Sequence, residues 1–369
     1  MLNFKIKREE FLSALQRIGS VVRDNRVVPA ASGVHIEIMD DQMELRGTDL
    51  EVTLIDKVSI IGKGSGSFVV KPLQIIEYLR ELYEEVIELR CEGNLVILNA
   101  GSSSSSFSCY EVADYPDIFN FEADVSRKVD VSAMVEGLEK TIMGASTRAE
   151  NRAMNCIRIE VDEIIRMVTC DTYRLFYYEK DLGSSGPEIK FSLPLKAAGV
   201  MLKILKSEKI SECIISVSKN QVCFLLDNTK ILSKLIDLPF PDYKAILSNQ
   251  GTSINVAASS AELIGVLKRV HIFARENMDT RNSALLNFSN EGYLEVSAFN
   301  ENAKVKEKID VKLKGKSIII SLNVKFMLDF LTQISEDCII KMKNKDSAVQ
   351  LGQKDNEKFL CIIMPLAYR

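Results

Sequence analysis

The sequence predicts an α+β fold made of three tandem copies of one domain, because three features recur along the chain. The first helix-like stretch of each copy keeps its apolar and basic positions at offsets of 123 and 129 residues: Phe11, Leu12, Leu15 and Arg17; Met134, Val135, Leu138 and Lys140; Leu263, Ile264, Leu267 and Arg269. The turn before a later helix recurs as Pro72-Leu73, Pro194-Leu195 and Asn323-Val324, and a proline near each end recurs as Pro116, Pro241 and Pro365. Periods this long indicate duplicated domains, since solenoids repeat every ~20 to 50 residues.

Chain length agrees with this repeat. A chain of 369 residues exceeds what one hydrophobic core usually organises, and a third of it matches the common domain size of ~100 to 150 residues. We therefore predict a first domain over residues 1–124, a second over 125–250 and a third over 251–369.

Each domain is predicted to contain two similar halves, each made of a strand, a helix and three strands. In the first domain Val34, Ile36 and Ile38 alternate with polar residues, which is the period of a half-buried antiparallel strand. The helices instead show apolar residues at spacings of three and four. Such a domain can place its sheets outside and both helices on one side, which gives six helices in the chain.

Composition is that of an ordinary globular protein, with 46% hydrophobic and 27% charged residues. No apolar run approaches the ~18 residues of a membrane span, and the amino terminus lacks the apolar stretch of a signal peptide, so we expect no membrane association and a cytoplasmic location. The formal net charge of −4 argues against a protein that coats nucleic acid with its whole surface but allows one basic face. The eight cysteines include no CxxC pair and are interpreted as buried free thiols, in preference to disulfides or a metal site.

Few residues could carry catalysis. Of the two histidines, His35 lies in an alternating strand, where a surface position is the simpler interpretation, and His271 ends a helix as a favourable cation. The glycine-rich segment Gly62–Ser67 lacks the ending and the following helix of a phosphate-binding loop, and we predict turns there and at Asp40-Asp41. We therefore expect no catalytic residues, no metal site and no cofactor.

Basic residues recur on the predicted helices, several at equivalent positions of different copies. They are Arg17, Arg80, Lys140, Lys203, Lys206, Lys268, Arg269 and Lys325. A single charge on a helix is usually solvated surface. Recurrence in an acidic chain suggests instead that charge is sorted, with a positive side formed by the helices and an acidic exterior.

Five stretches stand out together: Leu45-Arg-Gly-Thr-Asp-Leu-Glu51, Ala113-Asp-Tyr-Pro-Asp117, Cys170-Asp-Thr-Tyr-Arg-Leu175, Phe240-Pro-Asp-Tyr243 and Ile362-Ile-Met-Pro-Leu366. In this order and spacing the chain resembles, over essentially its whole length, the bacterial sliding clamps, which are the beta subunits of DNA polymerase III. The resemblance implies a non-catalytic processivity factor of DNA replication. It also implies a homodimer joined head to tail into a closed six-domain ring, with sheets outside and helices lining a hole for duplex DNA. A cationic lining without base contacts attracts phosphates independently of sequence and permits sliding.

The resemblance further implies where two copies of the chain meet. It places Phe107 on one side of the dimer interface and Ile272 with Phe273 on the other, and the alternative is that these three side chains belong to the cores of their own domains. Joining an edge strand of domain one to an edge strand of domain three in the partner leaves neither edge exposed.

By the same resemblance, the polymerase catalytic subunit, the clamp loader and repair proteins dock short linear peptides into an apolar pocket between domains two and three. Carried over position by position, the pocket residues are Met154, Cys170, Thr172, Tyr173, Arg174, Leu175, Pro241, Ile246, Ala348, Ile362, Met364, Pro365 and Leu366. Apolar walls suit the apolar anchor residues of a peptide, and flexible methionine side chains adapt to several ligands. The alternative for each of these residues is ordinary packing in a domain core. Thr172-Tyr173 departs from the family pattern, which often has Gly-His there, and so does the Leu-Ala-Tyr-Arg tail.

For DNA, the resemblance points to residues on helices or loops near the hole: Arg26, Lys71, Arg148, Asn151, Arg152, Lys196, Lys203, Arg275 and Arg281. Two other classes of protein make different predictions. An enzyme such as a nuclease needs a converging cluster of carboxylates or histidines, and the sequence offers none. An open scaffold that binds only proteins predicts a monomer without salt-dependent association with DNA.

Overall fold

The computed structural model describes residues 2–117, 121–148, 150–207, 210–248, 253–276 and 282–367. The chain divides into two compact units, the first of Met1–Val135 with Lys196–Leu235 and the second of Glu136–Leu195 with Ile236–Arg369. The helices are α1 (Arg8–Gly19), α2 (Pro72–Glu81), α3 (Val131–Thr141), α4 (Leu195–Ser207), α5 (Tyr243–Ser248), α6 (Ser260–Ala274) and α7 (Val324–Leu331).

Antiparallel strands make up most of the rest of both units. In chain order they are β1 (Leu2–Lys7), β2 (Val34–Thr48), β3 (Val52–Val70), β4 (Val86–Glu92), β5 (Leu95–Ala100), β6 (Ser103–Tyr110), β7 (Val125–Asp130), β8 (Cys156–Val161), β9 (Ile164–Cys170), β10 (Arg174–Asp181), β11 (Ile189–Pro194), β12 (Glu212–Val217), β13 (Gln221–Leu226), β14 (Thr229–Lys234), β15 (Ile254–Ala258), β16 (Ser283–Ser289), β17 (Tyr293–Phe299), β18 (Lys304–Asp310), β19 (Lys312–Lys314), β20 (Ile318–Asn323), β21 (Cys338–Met342), β22 (Val349–Gln353) and β23 (Asn356–Ile363).

The first unit contains a ten-stranded sheet in the order β1-β4-β5-β6-β3-β14-β13-β12-β7, with β2 paired to β3 off this path. Helix α1 contacts α2, β2 and β3. Its apolar residues at helical spacing, Phe11, Leu15 and Ile18, are fully buried, and each such side chain contributes about 1.5–3 kcal/mol. Helix α2 begins at Pro72, where the missing N–H has no partner to lose.

The second unit contains a nine-stranded sheet, β11-β8-β9-β10-β23-β22-β21-β15-β19, and a four-stranded sheet, β18-β17-β16-β20. One core, with Leu286, Phe330 and Phe359 fully buried, includes residues of both sheets and of α6 and α7. The Ser259 hydroxyl accepts the Glu262 N–H at the start of α6, which is the N-cap contact expected of serine.

The predicted α+β repeat is confirmed. Copy one contributes α1 and α2, copy two α3 and α4, and copy three α6 and α7, while the short α5 was not predicted. All eight cysteines are free thiols, as expected, and six of them are buried. No helix in the described ranges is long and apolar enough to cross a membrane.

Both large sheets combine strands from two of the predicted domains. In the first unit, β14 pairs with β3 from Thr229↔Asp56 to Ser233↔Val52. In the second unit, β10 pairs with β23 from Arg174↔Ile363 to Tyr178↔Phe359. The segment 125–250 therefore gives β7 and β12 to β14 to the first unit and β8 to β11 to the second.

The turns predicted at Asp40-Asp41 and at the glycine cluster are wrong. Strands β2 and β3 form one long antiparallel pair from Val34↔Val70 to Thr48↔Thr53, and their register shifts between Asp40↔Gly64 and Gln42↔Ser59. Within β3, Gly62 adopts a φ of 112°. Glycine tolerates this conformation, in which other residues are strained, so the strand bends where the composition suggested that it ended.

The recurring helix cations have a structural role that the sequence did not reveal. Arg17 Nη2 lies 2.6 Å from Oδ2 of Asp56 on β3, a carboxylate that is only 1% exposed. Arg269 donates from two nitrogens, at 2.9 and 2.8 Å, to Glu307 on β18, and Lys140 pairs with a glutamate of its own helix. Ion pairing inside each unit therefore explains the recurrence at these positions.

The surface position expected for His35 is also wrong. His35 is 8% exposed, and its ring stacks on Tyr115 with the ring centroids 5.2 Å apart. The Tyr115 hydroxyl donates to the Arg46 carbonyl at 3.0 Å, which holds the segment after β6 over this face of β2. Burial therefore lowers the pKa of His35.

Candidate functional site

An apolar cavity of about 340 Å³ lies in the second unit. It is lined by Met154, Cys170, Thr172, Tyr173, Arg174, Leu175, Pro241, Ile246, Ile362 and Met364. All ten are among the thirteen residues assigned to the pocket by resemblance. The other three are adjacent: Ala348 contacts the buried cluster that includes Leu175 and Ile362, and Pro365 and Leu366 are half-buried in the segment after β23.

One wall is a tight turn organised by Asp171. Its Oδ1 accepts hydrogen bonds from the backbone N–H groups of Tyr173 and Arg174, both at 3.1 Å. The Asp171 N–H donates in turn to the Arg174 carbonyl at 3.2 Å. An aspartate that binds the backbone two residues on is a turn former, so the position of the wall follows from local sequence.

Arg174 fixes this turn to the rest of the second unit. Its Nε donates to Asp171 Oδ2 at 2.9 Å, its Nη1 to Asp329 Oδ2 at 2.6 Å and its Nη2 to the Met143 carbonyl at 2.6 Å. The guanidinium carbon lies 4.2 Å from the ring centroid of Phe326, and the side chain is 10% exposed. Because two carboxylates and a carbonyl occupy its nitrogens, Arg174 is part of the wall rather than a free cation.

The other walls come from the end of β23 and from α5. The Met364 N–H donates to the Tyr173 carbonyl at 2.8 Å, which continues the pairing of β10 with β23, and the Leu366 N–H donates to the Ser321 carbonyl at 2.9 Å. The Tyr243 hydroxyl donates to Glu160 Oε2 at 3.0 Å and holds α5 against β8. Burial raises the pKa of Tyr243, and the Glu160 carboxylate raises it further.

The cavity suits binding of apolar side chains rather than bond chemistry. Concave apolar sites with few polar groups bury the anchors of a peptide ligand, and the cavity lining includes Met364, which is 44% exposed and whose unbranched side chain adapts to different ligands. No group of three or more His, Cys, Asp or Glu side chains in the described part of the chain could hold a metal ion.

Cys170 gives this cavity a measurable pH dependence. Burial raises the pKa of its thiol to about 12, so the reactive thiolate is rare at neutral pH. We expect iodoacetamide alkylation of Cys170, followed by mass spectrometry, to rise about tenfold per pH unit from pH 8 to 10 without levelling off. Glutathione alkylated in the same tube is the control, because an exposed thiol levels off above its own pKa. A plateau for Cys170 below pH 9 would contradict the burial argument.

In the first unit, two of the residues predicted to contact DNA lie close together in the structure. Arg26 is exposed in a loop held by Asn25, whose Oδ1 accepts two backbone N–H groups at 2.9 Å. Lys71 precedes α2, and its Nζ lies 3.8 Å from Oδ1 of Asp24 in the same loop. This pair is largely exposed, so it is easily exchanged for a phosphate.

Lys196 and Lys203 lie on α4 and differ in their surroundings. Lys196 Nζ lies 2.7 Å from Asp49 Oδ2 and 3.1 Å from Glu51 Oε2. Lys203 is exposed on the same helix, with no ion pair to the described residues. A phosphate that binds Lys196 must therefore displace two carboxylates. A phosphate that binds Lys203 displaces no carboxylate of the residues that the structure describes.

In the second unit, Arg148, Asn151 and Arg152 share one loop. The Asn151 N–H donates to the Arg148 carbonyl at 3.1 Å, and Arg152 is exposed. The Arg148 guanidinium carbon lies 5.7 Å from the ring centroid of Tyr173. Arg148 thus touches the rim of the apolar cavity, which the sequence did not predict.

The remaining predicted positions lie elsewhere. Arg275 is exposed just after α6, 3.9 Å from Glu276, and Arg281 lies outside the described residues. Phe107 is half-buried on β6, with its ring edge-on to Tyr78 at 6.2 Å between centroids. On α6, Ile272 is 52% exposed and Phe273 is half-buried.

Sequence reasoning missed the residues that hold the cavity open, above all Asp171, Asp329 and Phe326. The repeat contains a signal for the first of them. Asp49 and Asn300 each accept two backbone N–H groups from the residues two and three further on, as Asp171 does. These three positions lie at nearly the same offsets as the helix starts, so the repeat predicts one such turn in every domain.

Comparison with known proteins agrees with this architecture. Family models of the DNA polymerase III beta subunit match as an N-terminal domain over residues 2–119, a central domain over 128–242 and a C-terminal domain over 246–367. The beta sliding clamp of Vibrio cholerae is 23% identical, over 99% of this chain and 100% of its own length. The chain belongs to the DNA polymerase III beta subunit family.

Solved structures share the fold. The DNA polymerase III beta subunit of Thermotoga maritima matches with a TM-score of 0.92 at 23% identity and covers 100% of both chains. A sliding clamp from Pseudomonas aeruginosa bound to griselimycin matches with a TM-score of 0.92 at 24% identity, also over 100% of both chains. As a member of its family, the chain is a non-catalytic processivity clamp of DNA polymerase, and the open scaffold is not favoured.

Proposed function

We propose that two copies of this chain join head to tail into a closed ring that encircles duplex DNA and slides without reading its sequence. The ring tethers the polymerase catalytic subunit, the clamp loader and repair proteins through short linear peptides. Its three domains span residues 1–124, 125–250 and 251–369, limits that the family matches over 2–119, 128–242 and 246–367 support. Because it encircles chromosomal DNA, the clamp of this proposal acts in the cytoplasm.

The homodimer is proposed because one kind of strand pairing between neighbouring copies occurs twice within the chain. We call this pairing the sheet junction. In the first unit, β3 from the first copy pairs with β14, the last strand of copy two. In the second unit, β10 from copy two pairs with β23, the last strand of copy three. The same rule applied to copy three requires β18 to pair with the last strand of copy one, which is β6, in a second molecule.

Both strands have the free edge that this junction needs. Strand β18 ends the four-stranded sheet. Among the described residues, β6 pairs with β5 and otherwise with β3 alone, at Cys109 and Tyr110. An open strand edge can pair with a strand of any other molecule and so promote aggregation. Pairing β6 with β18 covers both edges and prevents this.

Side chains on the two edges are compatible. Lys304, Lys306 and Lys308 occupy the exposed face of β18, and the matching exposed face of β6 carries only serines, so no like charges meet. On the other face Phe107 contacts Tyr78 of α2, and Ile272 and Phe273 belong to α6, which contacts β18. These contacts support the proposal that Phe107, Ile272 and Phe273 form the apolar part of the interface.

DNA binding in this proposal rests on exposed cations rather than on all the helix cations. Arg26, Arg152, Lys203 and Arg275 are exposed, whereas Arg17 is committed to a buried carboxylate. Phosphate contacts of this kind are sequence-independent and weaken steeply with salt. Weak contacts permit sliding, and the closed ring prevents escape.

A topological test separates this clamp from an ordinary DNA-binding protein. We expect chain loaded by its clamp loader onto a nicked circular plasmid to remain bound through gel filtration in high salt, and to be lost once a restriction enzyme linearises the circle. The same plasmid linearised before loading is the control. Equal retention on both forms would rule out topological linkage, and a monomer by sizing chromatography would favour the scaffold.

Peptide docking is assigned to the apolar cavity, and the relative bound to griselimycin supports a ligand site in this family. We expect the double substitution Met364→Ala and Leu366→Ala to weaken binding of a fluorescent partner peptide about tenfold or more, because it removes apolar contact area at the cavity mouth. Fluorescence anisotropy measures the loss, and sizing chromatography is expected to give an unchanged dimer. The matched control, Met39→Ala, removes an exposed methionine of the first unit. A lost dimer would mean that the two residues serve structure instead.

A further inference from the structure

Strands β18 and β19 form one extended edge rich in lysine, which we call the lysine ribbon (residues 304–314). Its even-numbered residues are exposed and its odd-numbered residues are half-buried or buried, without a break from one strand to the next. The six exposed residues are Lys304, Lys306, Lys308, Asp310, Lys312 and Lys314. Outward residues of an extended strand repeat about every 6.8 Å, so an acidic chain presents here a regular row of cations.

Most of this row is accessible to a ligand. Lys304, Lys312 and Lys314 form no ion pair with any residue that the structure describes. Lys306 Nζ lies 2.9 Å from Glu295 Oε2, but the lysine side chain stays 68% exposed, so a phosphate can replace this partner. The lysine ribbon therefore has the charge and the exposure that binding of a polyanion requires.

An exposed aromatic ring lies beside the lysine ribbon on the neighbouring strand β17. Phe299 is 59% exposed and pairs in register with Lys304, so the two side chains lie on the same face of the sheet. Tyr293, on the same face at the other end of β17, is covered by Lys308, whose Nζ lies 3.3 Å from the ring centroid. Lysines on an edge strand also discourage aggregation, but that role does not explain an exposed phenylalanine on the same surface.

A cavity of about 510 Å³ lies at the β19 end of the lysine ribbon. Lys354 joins the two lysines of β19 in its lining, two aspartates also line it, and Ala257 and Ile339 supply apolar surface. Apolar surface next to cations suits a flat nucleobase whose phosphate lies outside the cavity.

We propose that the lysine ribbon binds a single-stranded nucleic acid, with successive phosphates on the lysines, one base stacked on Phe299 and another in the cavity at β19. A cationic row beside an aromatic ring is the combination that binds single strands without reading their sequence. A duplex fits less well, because its bases are stacked on one another and cannot reach Phe299. This site is separate from the cations assigned to the encircled duplex. Strand pairing at the β18 edge uses backbone groups, so it leaves the lysine side chains on the face of the sheet.

Fluorescence anisotropy of a labelled oligo-dT strand with the full-length chain tests this over a range of salt concentrations. The double substitution Lys312→Gln and Lys314→Gln should reduce the slope of log K against log salt by about 1.4, which is about 0.7 for each lost phosphate contact. Phe299→Ala should weaken binding about fivefold or more without changing this slope, because it removes stacking but no charge.

The matched control is the double substitution Lys190→Gln and Lys244→Gln. It removes the same charge from two exposed lysines on β11, which is the opposite edge of the nine-stranded sheet, and on α5. Its slope and affinity should equal those of the unmodified chain.

Three results would overturn the inference. Equal losses of slope in the two double variants would show a diffuse attraction to the whole surface. A duplex of equal length that loses as much affinity in the Lys312→Gln and Lys314→Gln variant as oligo-dT does would show that single strands are not selected. A glutamate peptide of equal charge that binds more tightly than oligo-dT, and loses its affinity in that variant, would assign the lysine ribbon to an acidic protein instead.

Discussion

Replacing Arg174 by alanine is expected to lower the free energy of unfolding by about 3–5 kcal/mol, because it leaves the partly buried Asp171 carboxylate without its cation and leaves Asp329 with Lys325 alone. The side chains of Asp171 and Asp329 are 16% and 19% exposed. The turn at Thr172 would lose its attachment to Asp329, and we expect partner-peptide affinity to fall by at least tenfold. Denaturant titration followed by circular dichroism measures the first effect, and fluorescence anisotropy measures the second.

Two further substitutions serve as controls for the loss of stability in Arg174→Ala. Arg174→Lys keeps the charge but cannot reproduce the planar set of three hydrogen bonds, so an intermediate loss is expected. Arg90→Ala breaks an exposed pair with Glu92, 3.7 Å apart, and should cost at most about 1 kcal/mol. If Arg174→Ala proved no more destabilising than Arg90→Ala, the cavity wall would not depend on this ion-pair network.

Replacing Ser106 by proline is expected to convert the dimer to a monomer. The Cys109 N–H points to the side of β5, where it donates to the carbonyl of Asn94, the residue just before that strand, so by alternation the N–H groups of Ser104, Ser106 and Ser108 point to the free edge. Proline at Ser106 therefore removes a donor only from the proposed junction. One unmade bond costs about 1–3 kcal/mol, so the two junctions of a ring together lose about 2–6 kcal/mol, which raises the dissociation constant at least about thirtyfold.

Sizing chromatography with light scattering checks this result, with a mass near 41.4 kDa expected for Ser106→Pro and twice that for the unmodified chain. Ser106→Ala removes only the hydroxyl and should stay dimeric. Ser105→Pro alters a residue whose N–H faces β5 and should instead unfold the domain. A stable Ser106→Pro dimer would mean that the chains meet at another edge.

Much of the architecture could be predicted from local patterns. Helix starts such as Phe11 and Leu15 recur with their polar neighbours, and hydrophobic periodicity reports directly which face a helix buries. Ten of the thirteen residues carried over to the pocket do line one cavity, because motifs such as Cys170–Leu175 are short and their turns form locally. By contrast, the glycines near Gly62 gave a wrong turn, since glycine permits a bend as readily as a strand end.

The three-copy plan, the helices and the free thiols were determined by the sequence alone, because repeats, periodicity and composition act over a few neighbouring residues. Only the tertiary structure decided which cations are available and where the copies join. Arg17 and Lys203 look alike in the sequence, yet one is paired with the buried Asp56 and the other is exposed. The continuation of sheets from copy to copy, and with it the free edges of β6 and β18, depends on strands far apart in the chain. Such long-range pairings and ion pairs are set by packing, which no local pattern records.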